Sequence, residues 1–185
     1  MTQNIAILGW GSLLWEGGSA FDKTHAAWRC DGPILKIEFS RISQRRAGAL
    51  TLVIDPANGV PTRVAWCLSL RDTVGEAVED LRMREETSVQ NIGVVVLGAH
   101  SRSADQDTVD EVTKWAGGRN LVGVIWTDLR GNFERRTGKR FSYDAALNYV
   151  AGLSGEARGR ALEYIRRAPS FVRTPVRDAL SNMPN

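Results

Sequence analysis

The amino terminus of this chain combines an apolar strand with a glycine-containing loop. Residues 5–8 are all apolar, and the loop, residues 9–13, follows directly. A strand that runs into two glycines one residue apart predicts a tight exit, in which the backbone takes positive φ and several N–H groups converge. Such a concavity suits a carboxylate or a phosphate. We therefore expect a ligand-binding loop made of Gly9, Trp10, Gly11, Ser12 and Leu13.

Two familiar glycine motifs do not fit this loop. A dinucleotide-binding fingerprint needs a third glycine at position 14, which is Leu14 in this chain. A nucleophile elbow needs glycine two residues after Ser12, and the same leucine stands there. A simpler interpretation stays open, in which the loop is only a tight strand exit.

Residues 72–86 have the periodicity of an amphipathic helix. The apolar face consists of Val74, Ala77, Val78 and Leu81. Glu85 lies eleven residues after Val74, close to three helical turns, so a carboxylate continues this face. Burial would raise the pKa of such a carboxylate, as a general base near neutral pH requires. Glu86, the rival carboxylate, falls toward the wetter side of the helix. In the alternative interpretation, Glu85 lies at the frayed end of the helix and pairs with an arginine.

The two segments together resemble the γ-glutamylcyclotransferase superfamily. The loop is similar to its Tyr-Gly-Ser-Leu motif with Trp10 in place of tyrosine, and residues 13–15 look most like the ChaC (cation transport regulator-like) branch. The pair Arg84-Glu85 resembles the Arg-Glu of the superfamily, whose glutamate is the acid/base. After this pair the ChaC branch has glycines and a tyrosine, whereas this chain differs at residues 86–89. The ordered resemblance covers about residues 5–98.

The resemblance implies a cyclotransferase that needs no cofactor. The α-amine of a γ-glutamyl group attacks its own γ-carbonyl, 5-oxoproline forms, and the acylated amine leaves. Glu85 would be the catalytic acid/base, and residues 9–13 would bind the substrate α-carboxylate. The substrate, and with it the leaving amine, stays open among glutathione, other γ-glutamyl amines or peptides, and a γ-glutamyl intermediate of a biosynthetic pathway. The alternative is a weakly active or inactive relative that binds an acidic metabolite or a protein partner.

The coarse pattern predicts an α+β fold in a single domain over residues 1–185. Strands are expected near residues 4–9, 34–42, 49–55, 63–70, 92–98 and 121–129, and helices near residues 72–87, 105–116, 142–151 and 155–167. A turn is expected from Pro56 to Pro61, and the helix at 155–167 is expected to serve packing alone. The resemblance implies that the strands close into a small, mostly antiparallel β-barrel flanked by helices.

Composition, with 43% hydrophobic and 24% charged residues, is that of an ordinary globular protein. No apolar run approaches the roughly 18 residues of a membrane span, and no signal-peptide pattern opens the chain, so a cytoplasmic location is expected. Cys30 and Cys67 are the only cysteines and are expected to be reduced. His25 and His100 are the only histidines and match no ligand spacing, so no metal is expected.

The net charge of +3 is a mild excess of basic residues. Arg41, Arg45 and Arg46 can line a basic strand edge, but no nucleic-acid motif accompanies them. We therefore expect no nucleic acid as a partner, and no membrane is expected either. The resemblance implies a small-molecule γ-glutamyl substrate as the partner, and the oligomeric state stays open. In a narrower alternative, one of these arginines faces the glycine loop and binds a substrate carboxylate in a bidentate fashion.

Overall fold

The computed structural model describes residues 4–181 and confirms the α+β class. The strands in this range are β1 (Ile5–Gly9), β2 (Ile34–Ser43), β3 (Ala49–Ile54), β4 (Val60–Arg63), β5 (Ala65–Leu68), β6 (Ile92–Val96), β7 (His100–Arg102) and β8 (Gly123–Thr127). The α-helices are α1 (Val74–Glu85), α2 (Gln106–Ala116), α3 (Phe133–Thr137), α4 (Tyr143–Gly152), α5 (Gly155–Arg167) and α6 (Pro175–Leu180).

The described chain forms two compact units. Unit 1 consists of residues 4–9, 16–35 and 63–129, and unit 2 consists of residues 10–15, 36–62 and 130–181. The chain therefore passes from unit 1 to unit 2 after Gly9, within the glycine loop, and returns to unit 1 at Glu16.

Unit 1 contains a mixed sheet with the strand order β5-β1-β8-β6-β7. Strand β1 pairs antiparallel with β5 and parallel with β8, while β6 pairs antiparallel with both β8 and β7. All five residues of β1 are buried, as expected for a strand that has neighbours on both edges and is covered on both faces. The glycine loop therefore starts from a rigid part of this unit.

Helices α1 and α2 pack against β6 and β8 of this sheet. The expected apolar face of α1 is confirmed, since Ala77, Val78 and Leu81 are buried and Val74 is half-buried. Thr73 caps the helix: its side chain accepts from the Glu76 N–H, and the Glu76 carboxylate accepts from the Thr73 N–H in return. This capping box sets the start of α1 and hence the helical phase of its last turn.

Unit 2 contains most of a three-stranded sheet with the order β3-β2-β4. Strands β2 and β3 pair antiparallel, with a register shift between Glu38 and Arg41. Helix α5 packs against β3, and helices α4, α5 and α6 pack against one another. The buried face of α5 includes Ala161, Leu162 and Ile165, which confirms the packing stripe expected for this helix.

The turn expected from Pro56 to Pro61 is wrong at its carboxyl end. Strand β4 begins at Val60 and contains Pro61, and a separate strand, β5, follows after Val64. Proline cannot donate a ladder hydrogen bond, but β4 is an edge strand of its sheet and tolerates one on its free side. The single strand expected at residues 63–70 is thus divided. Arg63 is the last residue of β4, and residues 65–68 form β5.

Three short elements were not expected from sequence: β7, α3 and α6. Each has six residues or fewer, too few to display a hydrophobic period. Among the helices of residues 4–181, none combines the length and apolarity that a membrane crossing requires.

Candidate functional site

The glycine loop has an extended entry followed by a single 3-10 turn. Gly9 is the last residue of β1 and pairs with Ala65 in unit 1, whereas residues 10–15 belong to unit 2. The turn spans Ser12–Leu14, and the Leu14 N–H donates to the Gly11 carbonyl oxygen at 3.0 Å. Gly11 has a φ of −120°, so the positive φ expected there is wrong.

A side chain at position 11 would be tightly packed against Tyr164. A Cβ atom at this position would lie 3.1 Å from the Tyr164 hydroxyl, closer than side chains normally approach. Tyr164 is a buried residue of α5, and its ring packs edge-on against Trp15 at 5.2 Å between centroids. Helix α5, expected to serve packing alone, therefore contributes a polar group beside the loop. No sequence signal singled out Tyr164, because it adjoins an ordinary apolar stripe.

Arg46 brings a positive charge to the same loop. Its Nη2 donates to the Ser12 Oγ at 3.0 Å, and its guanidinium carbon lies 4.9 Å from the centroid of the Tyr164 ring. Ser12 is buried, and Arg46 is half-buried. A guanidinium beside a loop with N–H groups in its first turn favours binding of a carboxylate. Of the three arginines considered from sequence, Arg46 contacts the loop, whereas Arg41 donates to the Arg130 carbonyl oxygen at 2.8 Å.

The remaining loop side chains are apolar. Trp10, which takes the place of the motif tyrosine, is only 5% exposed, and Leu13 is half-buried. The Trp10 indole is therefore part of the buried hydrophobic core. Tryptophan provides an N–H donor, but it lacks the phenolic oxygen that the motif tyrosine would supply.

Glu85 is the last residue of α1 and belongs to unit 1. It is half-buried, whereas Glu86 is exposed, in agreement with the helical phase expected for the two carboxylates. Glu86 has a φ of 46°, the left-handed region that glycine adopts most easily. The Thr87 N–H donates to the Arg82 carbonyl oxygen and the Glu86 N–H to that of Met83, which together form a Schellman motif. The helix therefore ends sharply, directly after Glu85.

Arg84 anchors this end of α1. Its Nη2 lies 3.5 Å from the Glu16 Oε2 and also donates to the Glu16 carbonyl oxygen at 3.3 Å. Both residues belong to unit 1, and Glu16 is the residue at which the chain returns to unit 1. The Arg84 side chain is largely buried, so this ion pair is shielded from water more than a surface pair would be. The residue before Glu85 is thus joined to Glu16, three residues beyond the glycine loop.

Glu38 is a buried carboxyl group in unit 2 that sequence reasoning missed. Its residue is 2% exposed, its Oε1 accepts from the Phe39 N–H at 2.7 Å, and the Thr174 side chain also bonds to it. Burial raises the pKa of Glu38 to about 7, although both hydrogen bonds oppose this, and the charges of Asp55 and Asp178 raise it further. The only sequence signal was a charge within an otherwise apolar strand.

Within residues 4–181, no three His, Cys, Asp or Glu side chains are grouped so that they could hold a metal ion. Cys30 is exposed and Cys67 is buried, and both are free thiols. Comparison of the chain with protein-family models, with curated proteins and with solved structures finds no match.

Proposed function

We propose that this protein is a cyclotransferase, which converts a γ-glutamyl amide or peptide into 5-oxoproline and a free amine. The observation that carries the proposal is the contact between Arg46 and Ser12, because it adds a cation to the loop for which sequence predicts carboxylate binding. The same contact would serve the alternative, a relative that binds an acidic metabolite without turning it over.

In the proposed reaction the substrate α-carboxylate binds to the loop. N–H groups of residues 10–13 and the Arg46 guanidinium are its donors, and a fork-shaped guanidinium matches the two oxygens of a carboxylate. Fixing this end of the glutamyl chain favours the folded pose in which the α-amine can attack. The conformational entropy of the chain is then lost on binding, before the chemical step.

Glu85 is the proposed general acid/base. It takes a proton from the attacking ammonium, the new C–N bond closes the five-membered ring, and the C–N bond to the leaving amine breaks. Glu85 then returns this proton to the leaving nitrogen. The former ammonium nitrogen sheds a second proton on becoming the lactam N–H, and the released amine takes up this proton as it becomes an ammonium, so protons and electrons balance without a cofactor. Backbone N–H groups near the loop can stabilise the oxyanion on the γ-carbonyl oxygen, at about 3 kcal/mol per donor.

The backbone after Glu85 agrees with the resemblance on which this proposal draws. Position 86 is left-handed, and the ChaC branch has glycine at this point. Glycine adopts this conformation without the strain of a side chain, whereas Glu86 tolerates it as part of the Schellman motif. The closed barrel and the cytoplasmic location that the sequence suggests remain part of the proposal.

The test is an assay for 5-oxoproline. The purified protein is incubated with a panel of γ-glutamyl amines and peptides, with glutathione included, and 5-oxoproline is quantified by mass spectrometry. Spontaneous cyclisation is measured with Glu85→Gln protein in the same mixtures. We expect enzyme-dependent product from at least one member. If no member yields product at high enzyme concentration, while calorimetry detects binding that Arg46→Gln weakens, the binding alternative is correct.

A further inference from the structure

Residues 130–140 of unit 2 form a short, strongly basic segment. The segment has five basic residues and one acidic residue, Glu134, for a net charge of +4. The whole chain has a net charge of +3, so all other residues together are close to neutral, at −1. The basic residues of the segment, all exposed, are Arg130, Arg135, Arg136, Lys139 and Arg140.

The backbone of this segment is held firmly. Phe133 is buried, and its ring packs edge-on against those of Phe141 and Tyr149, at 5.4 and 5.7 Å between centroids. The Asn132 side chain accepts from the Ile42 N–H at 2.7 Å and donates to the Ile42 carbonyl oxygen at 3.2 Å. The basic side chains therefore project from an ordered base, so binding a partner would order little further backbone.

Arg41 of β2 adds a sixth cation beside this segment. It is half-buried, and it donates to the Arg130 carbonyl oxygen. Burial lowers the pKa of Arg41, and the nearby charges of Arg135 and Arg136 lower it further. No acidic side chain within residues 4–181 forms an ion pair with any of these six cations. Arg41 therefore lies close to Arg135 and Arg136, and none of the six cations is neutralised by an ion pair in the described part of the chain.

We propose that this cationic patch, Arg41 together with the five basic residues of segment 130–140, binds the phosphate backbone of a single-stranded nucleic acid. Five of the six cations are arginines, whose planar fork matches two phosphate oxygens. Tyr143 follows the segment at the start of α4 and is 43% exposed, which leaves an aromatic ring on which a base can stack.

Two observations lead us to propose a nucleic acid, although sequence alone favoured neither a nucleic acid nor a membrane as a partner. Sequence reasoning excluded nucleic acid because Arg41, Arg45 and Arg46 had no accompanying motif, but in the folded chain Arg41 is grouped with cations from a distant segment. A membrane surface is disfavoured because Phe133 is buried and Phe141 is half-buried, so neither ring is free to insert among lipids. The proposal is independent of the cyclotransferase reaction.

The test measures how strongly salt weakens binding of a fluorescein-labelled poly-dT strand of about 20 nucleotides, by fluorescence anisotropy. For a single strand, the logarithm of the binding constant falls linearly with the logarithm of the salt concentration, and each phosphate contact adds about −0.7 to the slope. If five of the six cations each contact one phosphate, binding should weaken about 100-fold between 50 and 200 mM NaCl. The double variant Arg135→Gln/Arg136→Gln removes two of these contacts, so its binding should weaken only about 20-fold over the same range. The matched control, Lys114→Gln/Arg160→Gln, removes two exposed charges elsewhere and keeps the wild-type slope.

Each outcome of this experiment supports or overturns the proposal. A shallower slope for the double variant alone supports it, and weaker binding by Tyr143→Ala supports stacking of a base. Equal slopes for the double variant and its control would show that only total charge matters, which overturns the patch. Tighter binding to phosphatidylserine vesicles than to the strand overturns it in favour of a membrane surface.

Discussion

The Nη2 of Arg46 donates a hydrogen bond to the Oγ of Ser12, at 3.0 Å. This contact joins the 3-10 turn Gln44–Arg46, which follows β2, to the glycine loop within unit 2. The guanidinium also lies over the ring of Tyr164. Stacking and the hydrogen bond hold the cation in a defined orientation, which is the condition for recognising a carboxylate by its geometry.

We expect Arg46→Gln to lower kcat/KM for a γ-glutamyl substrate by about 10- to 100-fold, mainly through KM. The reason is the loss of a charge-assisted hydrogen bond to the α-carboxylate, which contributes about 1.5–3 kcal/mol. Steady-state kinetics gives the values, and Arg160→Gln, a change of equal charge on the exposed side of α5, serves as the control.

A substrate without the α-carboxylate, a 4-aminobutyryl amide, separates carboxylate binding from a general structural effect of Arg46. Its turnover or binding should be equally weak in the wild-type protein and in Arg46→Gln. A similar loss for both substrates on replacing Arg46 would contradict the assigned role.

Glu85→Gln should reduce turnover by about 100- to 10,000-fold, the usual contribution of a general acid/base. Glutamine keeps the size of the side chain, so substrate affinity and the circular dichroism spectrum should change little. Glu86→Gln is the matched control, because it removes the same charge from the adjacent, exposed position. Equal losses from the two changes would show that the helical phase does not distinguish these carboxylates.

Glu38 should make the protein less stable as pH rises. Its native pKa of about 7 lies above the ordinary 4.5, so between these values the folded chain keeps a proton that the unfolded chain has released. The contribution of Glu38 to the free energy of unfolding is therefore constant below about pH 4.5. It falls by about 3 kcal/mol as the pH rises to about 7.

The Glu38→Gln variant removes this titration while it retains an oxygen that can accept the Phe39 and Thr174 hydrogen bonds. Urea unfolding should show a stabilisation relative to wild type at pH 8 that disappears near pH 4.5. Glu111→Gln, on the exposed side of α2, should show no such difference. A constant difference between Glu38→Gln and wild type across this pH range would argue against a proton on Glu38.

Gly93→Ala should destabilise the protein by about 3 kcal/mol. Gly93 pairs with Trp126 across β6 and β8, and a Cβ at this glycine would lie 2.1 Å from the buried indole. Gly75→Ala in α1 is the opposite case, since nothing lies within 4 Å of its Cβ position and alanine favours helix by about 0.5–1 kcal/mol. Thermal unfolding should therefore move in opposite directions for the two variants, and a tolerated Gly93→Ala would refute the close packing.

Sequence predicted the longer elements of this protein well. The ten-residue strand β2 and the helices α1 and α5 lie within two residues of their expected positions. Each displays its own hydrophobic period over several repeats, and capping residues mark the start of α1. The short strands β4 and β7 lacked such a signal. Strand β4, which contains Pro61, forms because β2 provides the backbone hydrogen-bonding partner beside it.

The sequence by itself determined the α+β class, the phase of α1 that separates Glu85 from Glu86, and the position of the glycine loop. Periodicity and turn chemistry act within one segment, so the chain displays them before it folds. Only the tertiary structure decided that Arg46 meets Ser12, 34 residues away, and that Arg41 is grouped with Arg135 and Arg136. Contacts between distant segments depend on which faces pack together, and no local pattern encodes that choice.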